Sequence, residues 1–191
     1  MPMPNSKGYK IIYADPPWSY ENFQGKGKAF GDASAHYKSM GLDEMAALPI
    51  PEICDDELCL LFMWATFPTL PDAMRLISAW GFEYKTAAFV WVKNRGDKLY
   101  SGLGFYTNSN AEVCFVARRG KAPFVRANRD VKQIVQAQIG AHSKKPDEVR
   151  DRIVRLVGNV PRIELFAREP APGWDRWGNQ VESNVEIGKN P

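Results

Sequence analysis

The first residues whose types and order suggest chemistry form a tetrapeptide, Asp15-Pro16-Pro17-Trp18, directly after the apolar run from Lys10 to Ala14. Neither proline can donate a hydrogen bond to a β-ladder, so the run is predicted to be a strand that ends at this point. The carboxyl end of a strand in an open α/β sheet is a common place for a ligand. The tetrapeptide therefore indicates a site, and a proline-rich strand exit capped by Asp15 is the structural alternative.

The tetrapeptide provides the groups that an aromatic amine needs in order to react. The amino nitrogen of adenine is a poor nucleophile because its lone pair is delocalised into the ring. Acceptors that hold both N–H groups draw that nitrogen toward sp³ geometry. The Asp15 carboxylate and the Pro16 carbonyl are two such acceptors, and the stiff prolines fix their positions before the base arrives. Trp18 offers a flat face on which a base can stack.

The rest of the chain alternates strands with helices, which predicts a three-layer α/β fold with a mostly parallel sheet. Strands are predicted at residues 10–14, 58–65, 84–92, 111–117, 133–138 and 162–167. Helices are predicted at residues 42–48, 70–80 and 146–157, and long polar loops at residues 19–41 and 94–110. A length of 191 residues fits one domain, expected at residues 1–181, with a flexible tail at residues 182–191.

Charge is unevenly distributed along the chain, although its net value is only +3. Residues 118–155 contain 11 Lys or Arg and 4 Asp or Glu, an excess of +7, so the remaining residues carry −4. A basic segment of this kind suits a polyanion. We expect the stretch 118–132, with Arg118, Arg119 and Lys121, to hold nucleic-acid phosphates. A solvated basic face without a partner explains the same charges equally well.

Metal centres and membrane spans are not expected. The three cysteines, Cys54, Cys59 and Cys114, do not have the spacing of a zinc site, and the chain has only two histidines. No apolar run reaches the roughly 18 residues that a membrane span needs. The amino-terminal sequence MPMPNSKGYK lacks the apolar centre of a signal peptide. A cytoplasmic protein without a membrane partner is therefore expected.

A longer set of motifs carries a family resemblance. The motifs are Tyr13–Trp18, His36–Met40, Asp43–Met45, Leu61–Trp64, Gly81–Glu83, Val90–Lys93, Ala111–Cys114, His142–Glu148, Arg162–Arg168 and Trp177–Gln180. In this order they resemble the MT-A70 adenine-N6 methyltransferases, from residue 9 to about residue 181. The resemblance implies a Rossmann-like methyltransferase fold with permuted motif order, in which the catalytic tetrapeptide precedes the cofactor-binding strand.

The resemblance also implies a role for individual residues on the substrate side. Asp15 would accept a hydrogen bond from the adenine N6 group, assisted by Pro16, while Pro17 and Trp18 shape the pocket. Tyr37 matches a tyrosine that packs beside the target base. Trp91 and Lys93 lie where the family lines its substrate pocket.

On the cofactor side, the resemblance implies a site for S-adenosylmethionine beside Asp15. Lys145 would contact the cofactor carboxylate, and a cation at the start of a helix suits that anion. Phe166 would lie near the adenosine. The residues that match the family's ribose contacts are Arg168, Asn179 and Gln180. Side-chain amides can both donate and accept hydrogen bonds, which suits a diol.

Two departures from the better-known nuclear members concern the cofactor site. Glu169-Pro170 stands where those members have Pro and then His, and little chain precedes Tyr9. The compact form resembles the bacterial and bacteriophage branch, so DNA is favoured over RNA as the substrate. A catalytically silent nucleic-acid-binding partner on the same fold and an enzyme for small molecules or protein amides stay open as rivals. A homodimer is one candidate for the oligomeric state.

Overall fold

The structure is a computed structural model that describes residues 8–18, 40–104, 106–140 and 144–188. The strands in these ranges are β1 Ile11–Ala14, β2 Cys59–Ala65, β3 Glu83–Arg95, β4 Lys98–Leu99, β5 Ala111–Arg119, β6 Ile134–Gln138, β7 Arg162–Leu165 and β8 Asp175–Trp177. The helices there are α1 Leu42–Ala46, α2 Ile50–Ile53, α3 Leu70–Ala79 and α4 Glu148–Val157. Every predicted strand and helix is present, and β4, β8 and α2 are additional. These three elements are too short to show an apolar period in the sequence.

The strands form one mixed sheet in the order β4-β3-β5-β2-β1-β7-β8, with β6 paired to β3. Strand β1 is parallel to β2 and β7, β7 is parallel to β8, and β3 is parallel to β6. Strand β5 is antiparallel to both β2 and β3. The expected parallel pairing therefore holds on the β1 side but not around β5. The connection at residues 94–110 is long enough for either a crossover or a hairpin, so its length did not reveal the direction of β5.

Alternate residues of β1 face opposite layers, which confirms the predicted three-layer α/β fold. Ile12 and Ala14 belong to a core that includes residues of α1 and α3, whereas Ile11 and Tyr13 belong to a core that includes residues of α4. All four side chains are at most 2% exposed. A strand covered on both faces appears as a continuous apolar run, as Ile11–Ala14 does.

The carboxyl-terminal residues 182–188 contact the folded core. Ile187 is 1% exposed and lies in the core that includes α1 and α3. The side chain of Asn184 donates a hydrogen bond to Asp175 at 2.7 Å, and its backbone N–H donates to the Arg176 carbonyl at 3.1 Å. These contacts attach residues 182–188 to the core, and a flexible tail at residues 182–191 stays a prediction. Residues 189–191 lie outside the described residues.

Candidate active site

Asp15, Lys93, Lys145 and the residues that follow β7 and β8 meet at one edge of the sheet. The parallel register pairs Ala14 with Met63 and with Leu165, so β1, β2 and β7 end side by side. Strand β8 ends next to β7, and the antiparallel pairing of Trp91 with Glu112 brings the start of β5 to the same edge. This edge, at the carboxyl ends of the parallel strands, is where open α/β sheets bind ligands.

Four ionisable side chains form a continuous chain of ion pairs at this edge. The Lys145 Nζ lies 2.9 Å from Asp15 Oδ2 and 3.2 Å from Glu112 Oε2. The Lys93 Nζ lies 2.5 Å from Glu112 Oε1. The four side chains are between 8% and 17% exposed, so each charge needs a partner to remain in place. Arg168 Nη2 adds a longer contact to Asp15 Oδ2 at 3.8 Å.

The pairing controls the protonation of the two central groups. Burial by itself raises the pKa of a carboxyl group, but the charges of Lys145 and Lys93 hold the pKa of Glu112 below its usual value. Burial by itself lowers the pKa of an ammonium group, but Asp15 and Glu112 raise the pKa of Lys145 above its usual value. Both groups therefore stay charged at neutral pH.

Glu112 is a site residue that sequence reasoning did not assign. It was quoted only as part of the motif Ala111–Cys114, yet its carboxylate joins the two lysines that were assigned. One signal was present in the sequence. An acidic residue is rarely buried, and Glu112 stands within an otherwise apolar predicted strand.

The Asp15-Pro16-Pro17-Trp18 turn is held by two hydrogen bonds from Trp18. The Trp18 backbone N–H donates to the Pro16 carbonyl at 2.8 Å, and its indole Nε1 donates to the Trp64 carbonyl at 3.1 Å. The Pro16 oxygen has a second lone pair, so it can still accept from a ligand. Both ion-pair contacts of Asp15 use Oδ2, and Oδ1 accepts no hydrogen bond from the described part of the chain.

Four of the expected cofactor residues, Phe166, Arg168, Asn179 and Gln180, lie on two adjacent loops, which follow β7 and β8. Phe166 has φ 59°, a left-handed conformation that is uncommon outside glycine and is concentrated at ligand sites. A Cβ on Gly178 would lie 2.3 Å from the Ala167 carbonyl oxygen, so only glycine allows the loops to approach so closely. Asn179 and Gln180 follow with exposed side chains.

These loops fit a nucleoside-bearing cofactor. Phe166 lies in contact with Trp177, with ring centroids 5.5 Å apart, and the indole Nε1 of Trp177 is buried without a hydrogen-bond partner among the described residues. The exposed amides of Asn179 and Gln180 suit ribose hydroxyls. No group of three or more His, Cys, Asp or Glu side chains in these ranges is arranged to hold a metal ion.

Glu169, which departs from the family pattern, makes an ion pair that joins two loops at the site. Its carboxylate lies 2.7 Å from Lys144 Nζ. The neighbours in sequence, Lys145 and Arg168, are the two cations that contact Asp15. The Lys144–Glu169 pair therefore links the segment before α4 to the segment after β7.

Several expected substrate residues are not brought to Asp15. Trp91 lies two residues before Lys93 in β3, farther from the edge of the sheet, and is 1% exposed. Its Nε1 donates a hydrogen bond to the Ala137 carbonyl at 3.0 Å. Its assignment to the lining of the substrate pocket is not supported by this burial. Tyr37 lies outside the described residues.

Three basic residues of the 118–132 stretch, Arg118, Arg119 and Lys121, lie at the opposite edge of the sheet. Arg118 pairs with Leu60 at the amino end of β2, six residues along β5 from Glu112. At a rise of about 3.3 Å per residue, this separation is roughly 20 Å. Arg118, Arg119 and Lys121 line a groove there together with the acidic residues Asp56, Glu57 and Glu83. The sequence could not show this placement because it depends on the antiparallel direction of β5.

Comparisons with known proteins agree with the geometry. A family model described as MT-A70 matches residues 9–180. The chain is 41% identical over 196 residues to the Type II methyltransferase M.MunI of a Mycoplasma species, covering 95% of this chain and 82% of that protein. It is 31% identical over 179 residues to the N(6)-adenosine-methyltransferase MT-A70-like protein of Drosophila melanogaster, covering 91% and 27%. It is 30% identical over 179 residues to the N(6)-adenosine-methyltransferase catalytic subunit METTL3 of Homo sapiens, covering 91% and 28%.

The match extends over every strand that forms the site, from β1 with Asp15 to β8 before Asn179 and Gln180. Methyltransferases of this family take the methyl group from S-adenosylmethionine. The chain belongs to the MT-A70 family.

Proposed function

We propose that this protein transfers a methyl group from S-adenosylmethionine to N6 of adenine in DNA. The observation that carries the proposal is the position of Asp15. Its carboxylate lies at the carboxyl end of β1, in a turn stiffened by two prolines, and next to the loops that carry the expected cofactor residues.

The chain's own groups account for how an adenine amino group becomes nucleophilic. Asp15 accepts one N–H through its carboxylate, and the Pro16 carbonyl accepts the other N–H with its second lone pair. Trp18 cannot move freely, because its backbone and its indole are both hydrogen-bonded. The acceptors are thereby positioned before the base enters, which lowers the entropic cost of reaction.

Lys145 keeps the Asp15 carboxylate in one place while Glu112 shares the lysine's charge. The cofactor supplies an electrophilic methyl group on a positive sulfonium when it is bound. The side chains that would hold it are Lys145, Phe166, Arg168, Asn179 and Gln180. A carboxylate beside the reacting nitrogen offsets the positive charge that develops there.

The preference for DNA is supported by how the relatives match. The Type II methyltransferase is 41% identical and is matched over 82% of its length. The relatives named after adenosine, the ribonucleoside, are about 30% identical, and the chain spans 28% or less of them. We also propose that the enzyme acts in the cytoplasm, together with the DNA that it modifies. The described part of the chain has no helix long and apolar enough to span a bilayer.

The direct test is to incubate the purified protein with S-adenosylmethionine and matched DNA and RNA substrates, each as single and double strands. Digestion followed by mass spectrometry identifies the methylated nucleoside. We expect N6-methyl-2′-deoxyadenosine to exceed N6-methyladenosine. Cofactor binding without transfer to any adenine substrate would favour the silent nucleic-acid-binding partner. Labelled product from adenine-free substrates alone would favour the small-molecule or protein enzyme.

A further inference from the structure

A hairpin loop rises directly from the ion-pair chain of the site. The backbone N–H of Lys93 donates to the Asn110 carbonyl at 2.8 Å, and the Lys93 carbonyl accepts from the Tyr100 N–H at 2.8 Å. Within the loop between residues 94 and 110, the segment from Tyr100 to Asn110 is therefore fixed at both ends by hydrogen bonds to Lys93. Its side chain contacts Glu112 within the site.

The turn between β3 and β4, at the start of this loop, is held in one position. The side-chain amide of Gln138 makes two hydrogen bonds to the backbone of Gly96, both of 2.9 Å. Farther along the loop, between Tyr100 and Asn110, Gly102 and Ser109 exchange two backbone hydrogen bonds of 2.9 and 3.0 Å. A Cβ on Gly104 would lie 2.1 Å from the Thr107 carbonyl oxygen, so the tip turns tightly.

The tip presents large apolar side chains to solvent. Leu103 is 84% exposed and Tyr106 is 103% exposed, and Leu99 on the adjoining limb is 59% exposed. Exposed apolar clusters of this kind mark interaction surfaces. Arg95, Asp97 and Lys98 are exposed in the turn before Leu99 and leave one net positive charge there, and the Arg95 guanidinium lies 5.1 Å from the centre of the Tyr100 ring. An exposed apolar tip on a loop with net positive charge matches the chemistry of a nucleic acid, which stacks bases inside a shell of phosphates.

Distance indicates which part of a substrate would meet this tip. Leu103 follows Tyr100 by three residues and Tyr106 precedes Asn110 by four, and Tyr100 and Asn110 both hydrogen-bond to Lys93. At about 3.3 Å per residue, the tip can extend roughly 10–13 Å from these anchors. Base pairs in duplex DNA are spaced about 3.4 Å apart, so about three base pairs on one side of the target fall within this reach. A target adenine in a polymer always has these neighbours, and a surface at the mouth of its pocket must face them.

We propose that Leu103 and Tyr106 form a wedge that enters the base stack of duplex DNA beside the target adenine and holds the helix open while the base is turned into the pocket. The inference rests on the proposed function and deepens it, because it assigns the step that duplex substrates require and single strands do not. A buried target base must leave the stack before Asp15 can reach its amino group. An apolar wedge offsets the cost of that unstacking.

The test compares one duplex in two forms: fully paired, and with the target adenine opposite an abasic site, where the base is already loosely held. The variant is Leu103→Ala/Tyr106→Ala. The control is Ile134→Ala, because Ile134 is also an exposed apolar residue, at 50%, and lies outside both the hairpin and the 118–132 stretch. On the paired duplex we expect kcat/KM of the variant to fall by about tenfold or more, and on the abasic duplex to stay within about twofold of the unmodified protein. Ile134→Ala should match the unmodified protein on both.

A second readout does not depend on methyl transfer. With 2-aminopurine at the target position, binding of the unmodified protein should raise its fluorescence, and binding of the variant should not. Equal losses on the paired and abasic duplexes would overturn the wedge. A variant that loses a dimer in sedimentation, with unstacking intact, would overturn it in favour of contact with a second copy of the chain. If the unmodified protein methylates no DNA in either form, the proposed function fails instead, and the fluorescence experiment still decides whether the tip unstacks bases.

Discussion

At the scale of single residues, the site depends on two carboxylates held by one lysine. Lys145 lies between Asp15 and Glu112, at 2.9 and 3.2 Å, and neither acid is more than 17% exposed. Removing one partner from a buried ion pair costs more than the pair itself contributes, because a charge is left behind without compensation. In this arrangement Lys145 keeps one partner whichever acid is neutralised. Single substitutions at the two acids can therefore separate catalysis from folding.

The first prediction concerns Asp15→Asn. The variant keeps the shape of the side chain and loses its charge, while Lys145 retains Glu112. Removal of one preorganised electrostatic group from an active site typically costs about 10²–10³ in kcat, and we expect a loss of at least this size. Cofactor affinity should stay within about tenfold, because that affinity is distributed over several other side chains. Radiolabel transfer and calorimetry measure the two quantities. Loss of cofactor binding in calorimetry would instead assign Asp15 a structural role.

The second prediction concerns the pH dependence of stability. The pKa of Glu112 is lowered in the folded protein, so its contribution to stability is present above the unfolded value of 4.5 and is lost as the pH falls through its folded pKa. Glu112→Gln removes this titration. We expect the variant to lose less stability between about pH 5 and pH 3 than the unmodified protein loses. Urea unfolding across this range measures the difference, and parallel pH profiles for the two proteins would refute the assignment.

At the scale of elements, the site is an edge where strands β1, β2, β3, β5, β7 and β8 and their connections meet. Strands β1, β2 and β7 end together because their register is parallel, and β5 starts there because it is antiparallel. The loops after β7 and β8 touch through backbone atoms, with the Ala167 N–H donating to the Trp177 carbonyl at 3.0 Å. This close approach depends on Gly178 having no side chain.

The third prediction tests that approach with Gly178→Ala. The added methyl group would meet the Ala167 carbonyl oxygen at 2.3 Å and the Ala167 nitrogen at 2.7 Å, so the two loops must separate. We expect cofactor affinity to fall by about tenfold or more and stability to fall by about 1–3 kcal/mol. The matched control is Gly41→Ala, because a Cβ there finds its nearest atom at an ordinary 3.5 Å. Unchanged cofactor affinity in Gly178→Ala would remove these loops from the cofactor site.

At the scale of the whole molecule, the two edges of the sheet carry different chemistry. The carboxyl edge holds the ion-pair chain and the hairpin, whereas the other edge carries Arg118, Arg119 and Lys121 beside three acidic residues. The basic run at residues 118–155 is therefore divided among the opposite edge, the side of α4 and the carboxyl edge, where Lys145 lies. Arg155 pairs with Asp130, and Arg152 donates to the Lys132 and Ile134 carbonyls at 2.9 and 2.8 Å. Part of the positive charge thus stabilises the fold.

The fourth prediction compares a lysine on each edge. Lys121→Ala should change DNA affinity by less than about twofold, because this residue is roughly 20 Å from the site and has acidic neighbours. Lys98→Ala on the hairpin should weaken binding several-fold and reduce the slope of log affinity against log salt by about one. Fluorescence anisotropy at several salt concentrations measures both. A reduced salt slope in Lys121→Ala would show that DNA reaches the second edge.

Local chemistry within the sequence determined most of what the site contains. The apolar run at Ile11–Ala14 could only be a buried strand, and two prolines could only end it, so Asp15 had to lie at a strand terminus. The longer strands and helices followed from their apolar patterns, whereas β4, β8 and α2 were too short to show one. The family resemblance supplied Lys93, Lys145, Phe166 and Arg168, and the structure brings them all to the edge that holds Asp15.

Tertiary structure alone decided which of these residues touch. The direction of β5 separated Arg118 from Asp15 and brought Glu112 to Lys145, and no period in the sequence carries the direction of a strand. The depth of Trp91 in β3 placed it in the core, although Lys93 two residues later reaches the site. Sequence spacing specifies local conformation through short-range sterics and hydrogen bonds. Contacts between distant residues depend on how strands are paired, and that is settled only when the whole core is packed.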